Sequence, residues 1–124
     1  MKFIVTGCAG FIGSNLVDRL LKKGHKVEGV DNFSTGKIEF LENALKSKDF
    51  TLHRLDLLHD SEKLAGIFDG SDFVIHFSAN ADVRFGCEHP KKDLEQNTIV
   101  TFNILEAMRK CGIRNIVFSS TGSI

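Results

Sequence analysis

Residues 5–13 read VTGCAGFIG and set Gly7, Gly10 and Gly13 at intervals of three. Upstream, KFIV (2–5) has the composition of a short strand. Downstream, residues 14–23 place Leu16, Val17, Leu20 and Leu21 on one stripe of a helix, and Gly24 stands where that helix would end. A strand that passes into a helix through three glycines marks a turn where the backbone itself must come close to something.

The chemistry of such a turn narrows what that something is. A helix N-terminus offers free N–H groups and a partial positive charge. The pyrophosphate of a dinucleotide carries two negative charges and can approach only where no Cβ intervenes. One glycine suits the turn, one the close approach, and the last lets the helix pack on the first strand. Asp31 follows Gly13 by 18 residues, at the end of the second strand-like run. A carboxylate there accepts both hydroxyls of an adenosine ribose and repels a 2′-phosphate, which favours NAD over NADP. Plainer readings stay open. The glycines could form a tight turn with no ligand, and Asp31, which heads the turn-rich DNFSTG, could be a cap. The spacing favours the ribose role.

Beyond Asp31 the same alternation continues. Strands are expected over HKVEGVD (25–31), FTLHRLD (50–56), DFVIHFS (72–78) and RNIVFSS (114–120). Helices are expected over 38–47, with Phe40, Leu41, Ala44 and Leu45, and over 61–68, with Leu64, Ile67 and Phe68 behind Asp60 and Ser61 as N-cap candidates. The longest helix should start near Pro90 or Lys91 and end before Gly112. Strand and helix in alternation give a parallel sheet covered on both faces. On the long helix Asn97 shares a stripe with Leu94, Thr101, Ile104, Leu105 and Met108, where an unsatisfied amide would cost about 1–3 kcal/mol. The opposite stripe, Glu95, Ile99, Phe102 and Glu106, carries two large apolar groups where solvent is expected.

The 124 residues suit one domain, and 42% apolar content suffices for one core. Sixteen basic and sixteen acidic residues cancel, with no charge run that would mark a nucleic-acid footprint. No apolar run approaches the roughly 18 residues a membrane span needs. Cys8, Cys87 and Cys111 form neither a disulfide frame nor a zinc knuckle, so reduced thiols and a cytoplasmic protein are expected. Cys8 reads as a spacer within the turn. The five histidines show no metal spacing, and His76 reads as a core or strand-end residue.

Taken in order, TGCAGFIGSNL, VDNFSTGK, LDL, VIHFSANADV and the stretch from EQNTIV to SSTGSI resemble the extended short-chain dehydrogenase/reductase family, nearest its nucleotide-sugar epimerases and dehydratases. The resemblance spans the chain and implies a Rossmann-like, doubly wound α/β fold with strand order 3-2-1-4-5. It implies that Phe11 and Ile12 join Gly7, Gly10 and Gly13 in the pyrophosphate turn. Asp31, Asn32, Phe33, Ser34, Thr35 and Gly36 would surround the ribose, and Asp56 and Leu57 would contact adenine. Phe77, Ser78 and Ala79 would pass over ribose and pyrophosphate, with Asn97 near the cofactor beneath the fourth and fifth strand ends and Ser119 among the cofactor-side residues at the end of the fifth. For Asn97 the alternative is a structural amide that bonds a neighbouring loop. Thr121 would hydrogen-bond the reacting sugar hydroxyl; without the resemblance it reads as a strand-end turn residue. Some epimerases carry a lysine where this chain has Ala81.

The family's general base is a tyrosine in a Tyr-x-x-x-Lys pair, and this sequence contains no tyrosine. The expectation is therefore an NAD-binding domain over 1–124 that forms the N-terminal piece of an enzyme, truncated before the later strands and a C-terminal substrate domain. The implied parent reaction is transient oxidation at carbon four of a UDP-sugar, followed by hydride return to the opposite face. The resemblance further implies a homodimer, since members of the family usually pair through the 91–111 helix and the next one. A non-catalytic NAD-binding module, or a related dehydratase or reductase, is the alternative.

Overall fold

A computed structural model describes residues 1–80 and 82–120. Its sheet has five parallel strands: β1 (Lys2–Thr6), β2 (Lys26–Asp31), β3 (Phe50–Arg54), β4 (Phe73–His76) and β5 (Ile116–Phe118). They lie in the order β3-β2-β1-β4-β5, as expected. The chain moves outward from β1 through β2 to β3, then returns to the other side of β1. That reversal opens a crevice at the carboxyl ends of β1, β2 and β4.

The strand period of two divides the apolar residues between two cores. Ile4, Val30 and Val74 face one side and pack with Leu64, Phe68, Val100, Ile104 and Met108. Val5, Val27 and Ile75 face the other and pack with Val17, Leu20, Leu41, Ala44 and Phe50. A strand covered on both faces needs no polar alternation, which explains why β1 reads as a nearly continuous apolar run.

Helix α1 spans Phe11–Lys22, three residues earlier than the apolar stripe predicts. Its first turn projects into solvent, with Phe11 and Ile12 74% and 67% exposed, so no core periodicity marks it. Its end is as expected. Gly24 takes φ +86°, its N–H donates to the Leu21 carbonyl at 3.0 Å, and His25 N–H donates to the Leu20 carbonyl at 3.1 Å. This is a Schellman ending, which glycine adopts without strain.

The helix expected over 38–47 is instead two 3-10 turns, Ile38–Leu41 and Ala44–Lys46. Only Leu41 and Ala44 are buried there, while Phe40 and Leu45 are exposed. Two anchors three residues apart match the 3-10 repeat. The segment 61–68 opens as a 3-10 turn, Ser61–Lys63, and becomes α2 (Leu64–Phe68). Asp60 does not cap it; its Oδ2 accepts the Asp56 N–H at 2.9 Å. A further helix, α3 (Val83–Glu88), was not expected. Asp82 caps it by accepting the Arg84 and Phe85 N–H groups.

The long helix starts at Pro90 and stops at Gly112, but in three parts: α4 (Pro90–Asp93), a π-helical segment (Leu94–Ile99) and α5 (Val100–Cys111). The wider π turn rotates everything before it relative to the buried stripe. Val100, Ile104, Ala107 and Met108 are buried, while Leu94 and Leu105 of the expected inner stripe are exposed. Ile99 and Phe102 are exposed, as the outer stripe anticipated. Among the described residues no helix is long and apolar enough to cross a membrane.

Candidate cofactor-binding cleft

Each glycine of the turn meets a separate steric demand. Gly7 takes φ +68°, and a Cβ on it would lie 3.0 Å from the Phe77 carbonyl carbon and 3.1 Å from Ser78 N. A Cβ on Gly13 would run into the Gly7 carbonyl. Gly10 is the N-cap of α1 and offers no side chain to its free N–H groups. The turn therefore packs against the end of β4 and leaves the helix N-terminus open.

That N-terminus borders a recess of about 440 Å³. Gly7, Gly10, Phe11, Ile12 and Gly13 form one wall; Asp31, Asn32, Ser34, Thr35 and Gly36 form the second; Leu57, Phe77, Ser78, Ala79 and Ser119 are among the residues that complete the recess. A second recess of about 990 Å³ adjoins it and is lined by Asp56, Asn80, Asp82, Arg84, Phe85 and Lys92, among others.

Asp31 is 9% exposed and braces both sides of the cleft. Its Oδ2 accepts the Ala9 N–H at 2.9 Å and its Oδ1 accepts the Phe33 N–H at 2.8 Å. Each oxygen keeps a further lone pair, so the cap and the ribose acceptor are compatible roles. Phe33 has φ +60° and does not line the recess; its ring lies 4.2 Å beneath the Arg54 guanidinium. Burial, and then the neighbouring Asp31 charge, push the Cys8 thiol up to about 12, in keeping with a spacer.

Asp56 is turned toward its own loop. Its Oδ1 accepts the Leu58 N–H at 2.8 Å, and its Oδ2 lies 3.2 Å from His59 Nδ1. Burial raises its pKa, but these hydrogen bonds and the His59 charge outweigh burial and hold it below the usual carboxylate range. It lines the second recess, not the first. Asn97 also stands outside the first recess: it is exposed, and its Oδ1 accepts the Asn80 N–H at 2.9 Å. This is the loop-bonding alternative. The π turn brings Gln96 to the recess instead. Ser119 Oγ donates to the His76 carbonyl at 3.4 Å. Thr121 and Ala81 lie outside the described residues.

A profile of the NAD dependent epimerase/dehydratase family matches residues 3–124. The chain belongs to that family. UDP-glucose 4-epimerase of Mycolicibacterium smegmatis is 38% identical over 123 residues, covering 98% of this chain and 39% of that protein. A crystal structure of the Thermotoga maritima UDP-glucose 4-epimerase with UDP-glucose superposes with a TM-score of 0.89 at 36% identity, over 98% of this chain and 38% of that one. The Thermus thermophilus UDP-glucose 4-epimerase in complex with NAD gives 0.86 at 40% identity, again over 98% and 38%. This chain thus spans about two fifths of the length of the relatives it matches.

Within this family member's cleft, three positions went unpredicted. Leu55 and Gln96 line the recess. Thr6 lies behind it, and its hydroxyl oxygen accepts the Phe77 and Ser78 N–H groups at 3.1 and 3.2 Å. For Thr6 the one signal legible beforehand is a hydroxyl as the last residue of a strand.

Proposed function

We propose that this chain is the NAD-binding part of a nucleotide-sugar epimerase of the UDP-glucose 4-epimerase kind. The observation that carries the proposal is the open N-terminus of α1 in one recess with three glycines and Asp31. The fit is steric as well as electrostatic: a Cβ at Gly7 or Gly13 would disrupt the cradle, and no side chain competes for the first amides of the helix.

NAD, when bound, supplies a hydride acceptor. The chain's own residues bind and orient it. The Phe11, Ile12 and Gly13 amides hold the pyrophosphate, assisted by the helix dipole. Asp31 accepts the ribose hydroxyls, with Asn32, Phe33, Ser34, Thr35 and Gly36 around it. Leu57 contacts the adenine, and Asp56 serves from the neighbouring recess by accepting from its amino group. Phe77, Ser78 and Ala79 pass over the ribose and pyrophosphate, and Ser119 stands at the end of the fifth strand on the sugar side. Thr121 hydrogen-bonds the sugar hydroxyl that is oxidised. The proton itself needs a base of the Tyr-x-x-x-Lys type, and the 124 residues contain no tyrosine. A positioned base typically contributes ~10²–10⁴-fold, so the chain as given binds cofactor without turning over a UDP-sugar.

Pairing of copies is part of the same proposal. Ile99 and Phe102 are 37% and 61% exposed on one face of the long helix, and fully burying each contributes about 1.5–3 kcal/mol. A homodimer through this face accounts for them.

Calorimetric titration with both cofactors tests the proposal. NAD should bind at least tenfold more tightly than NADP, a gap of about 1.4 kcal/mol. Asp31→Asn, which removes the charge and keeps an acceptor, should narrow that gap. Equal affinities in the unmodified chain would overturn the role of Asp31, and no binding of either would overturn the proposal.

A further inference from the structure

His76 is the last residue of β4, directly before the Phe77–Ala79 stretch that lines the recess. Its side chain is 1% exposed, and both ring nitrogens meet a threonine hydroxyl: Thr6 Oγ1 lies 2.7 Å from Nδ1, and Thr101 Oγ1 lies 3.2 Å from Nε2.

The proton positions follow by elimination. Thr6 Oγ1 already accepts the Phe77 and Ser78 N–H groups. The Phe77 N–H is shared with the Thr6 carbonyl at 3.2 Å, and with two amides aimed at its oxygen the Thr6 hydroxyl is placed to give its single proton to Nδ1. Nδ1 is therefore an acceptor, and a neutral imidazole then carries its proton on Nε2. Nε2–H donates to Thr101 Oγ1, whose own proton goes to the Asn97 carbonyl at 2.6 Å. The opposite tautomer would leave Nε2 as an acceptor facing Thr101 Oγ1, whose single proton is already given to the Asn97 carbonyl. Burial also pushes the pKa of His76 down to about 4, which keeps the ring neutral.

The chain of bonds ends in a meaningful place. The Asn97 carbonyl belongs to the π segment, next to Gln96 in the recess wall. A hydroxyl inserted against a helix carbonyl is a recognised cause of local helix distortion. The Asn97 side chain then accepts the Asn80 N–H, so the path returns to the loop that follows β4. Apolar packing would fill this space but would permit sliding; a one-directional hydrogen-bond chain permits one arrangement.

We propose that His76 is a positioning residue: as the Nε2–H tautomer it clamps the strand-end loop at Phe77 and Ser78 to the π segment at Asn97, beside Gln96, and so fixes the width of the cofactor recess. The inference rests on the reading of that recess as the NAD site. Two measurements on the 124-residue chain test it. Long-range nitrogen–proton NMR of the imidazole should show a lone pair at Nδ1 and a proton at Nε2 at neutral pH. Thr101→Val, with its fold verified by circular dichroism, should bind NAD about tenfold more weakly, while Thr101→Ser should restore affinity. An Nδ1–H or charged ring would overturn the clamp, as would Thr101→Val binding NAD as tightly as the unmodified chain, or Thr101→Ser failing to recover. Should the unmodified chain not bind NAD, the cofactor reading fails, and the tautomer alone still decides the clamp.

Discussion

Gly13 and Gly66 make opposite demands on the same substitution. A methyl group at Gly13 strikes the Gly7 carbonyl, whereas at Gly66 in α2 it meets nothing within 4 Å. Gly13→Ala should destabilise the chain by about 1–3 kcal/mol, and Gly66→Ala should be neutral or stabilise by up to ~1 kcal/mol. Urea unfolding of the two variants checks both. His76 predicts a pH dependence. Its folded pKa of about 4 lies below the ordinary 6.5, so between those values the unfolded chain binds more protons and stability rises with pH. The contribution is complete above pH 6.5 and is lost as pH falls toward 4; unfolding at pH 7 and 5 should differ by about 2 kcal/mol from this group. At this scale the glycines and Asp31 were readable, because their roles depend on backbone freedom and spacing. Thr6 and Gln96 were not, because their roles exist only once β1, β4 and the long helix are brought together.

Among the elements, helix ends were more readable than helix interiors. Pro90 and Gly112 mark the two ends of the long helix through local backbone chemistry, and Gly112 is left-handed with φ +70°. At the π segment between them Thr101 Oγ1 meets the Asn97 carbonyl and His76 Nε2, contacts that periodicity cannot report. Short α3 was hidden for a different reason. It has a single sequence signal, the Asp82 cap, and no apolar stripe long enough to read. Asp82→Ala should cost about 1 kcal/mol locally and speed hydrogen exchange at the Arg84 and Phe85 amides. Unchanged exchange there would show that the cap does not hold the helix.

At the scale of the molecule, the alternation of strands and helices was enough to fix a parallel sheet, and the family resemblance supplied its order. The two cores follow from strands covered on both faces. The exposed Ile99 and Phe102 and the edge position of β5, with Val117 and Phe118 48% and 54% exposed, predict self-association. Phe102→Lys should shift sedimentation toward monomer; a monomer at high concentration in the unmodified chain would remove the helix face from the account. The cleft is the part of the molecule on which everything else depends, and amide NMR during an NAD titration tests it most directly. Saturable shifts are expected at Phe11, Ile12, Gly13 and Ser78, with the Ser47–Asp49 turn at the far end of the sheet unmoved. Saturable binding that left the amides of residues 11–13 unshifted would contradict the assignment of the cleft.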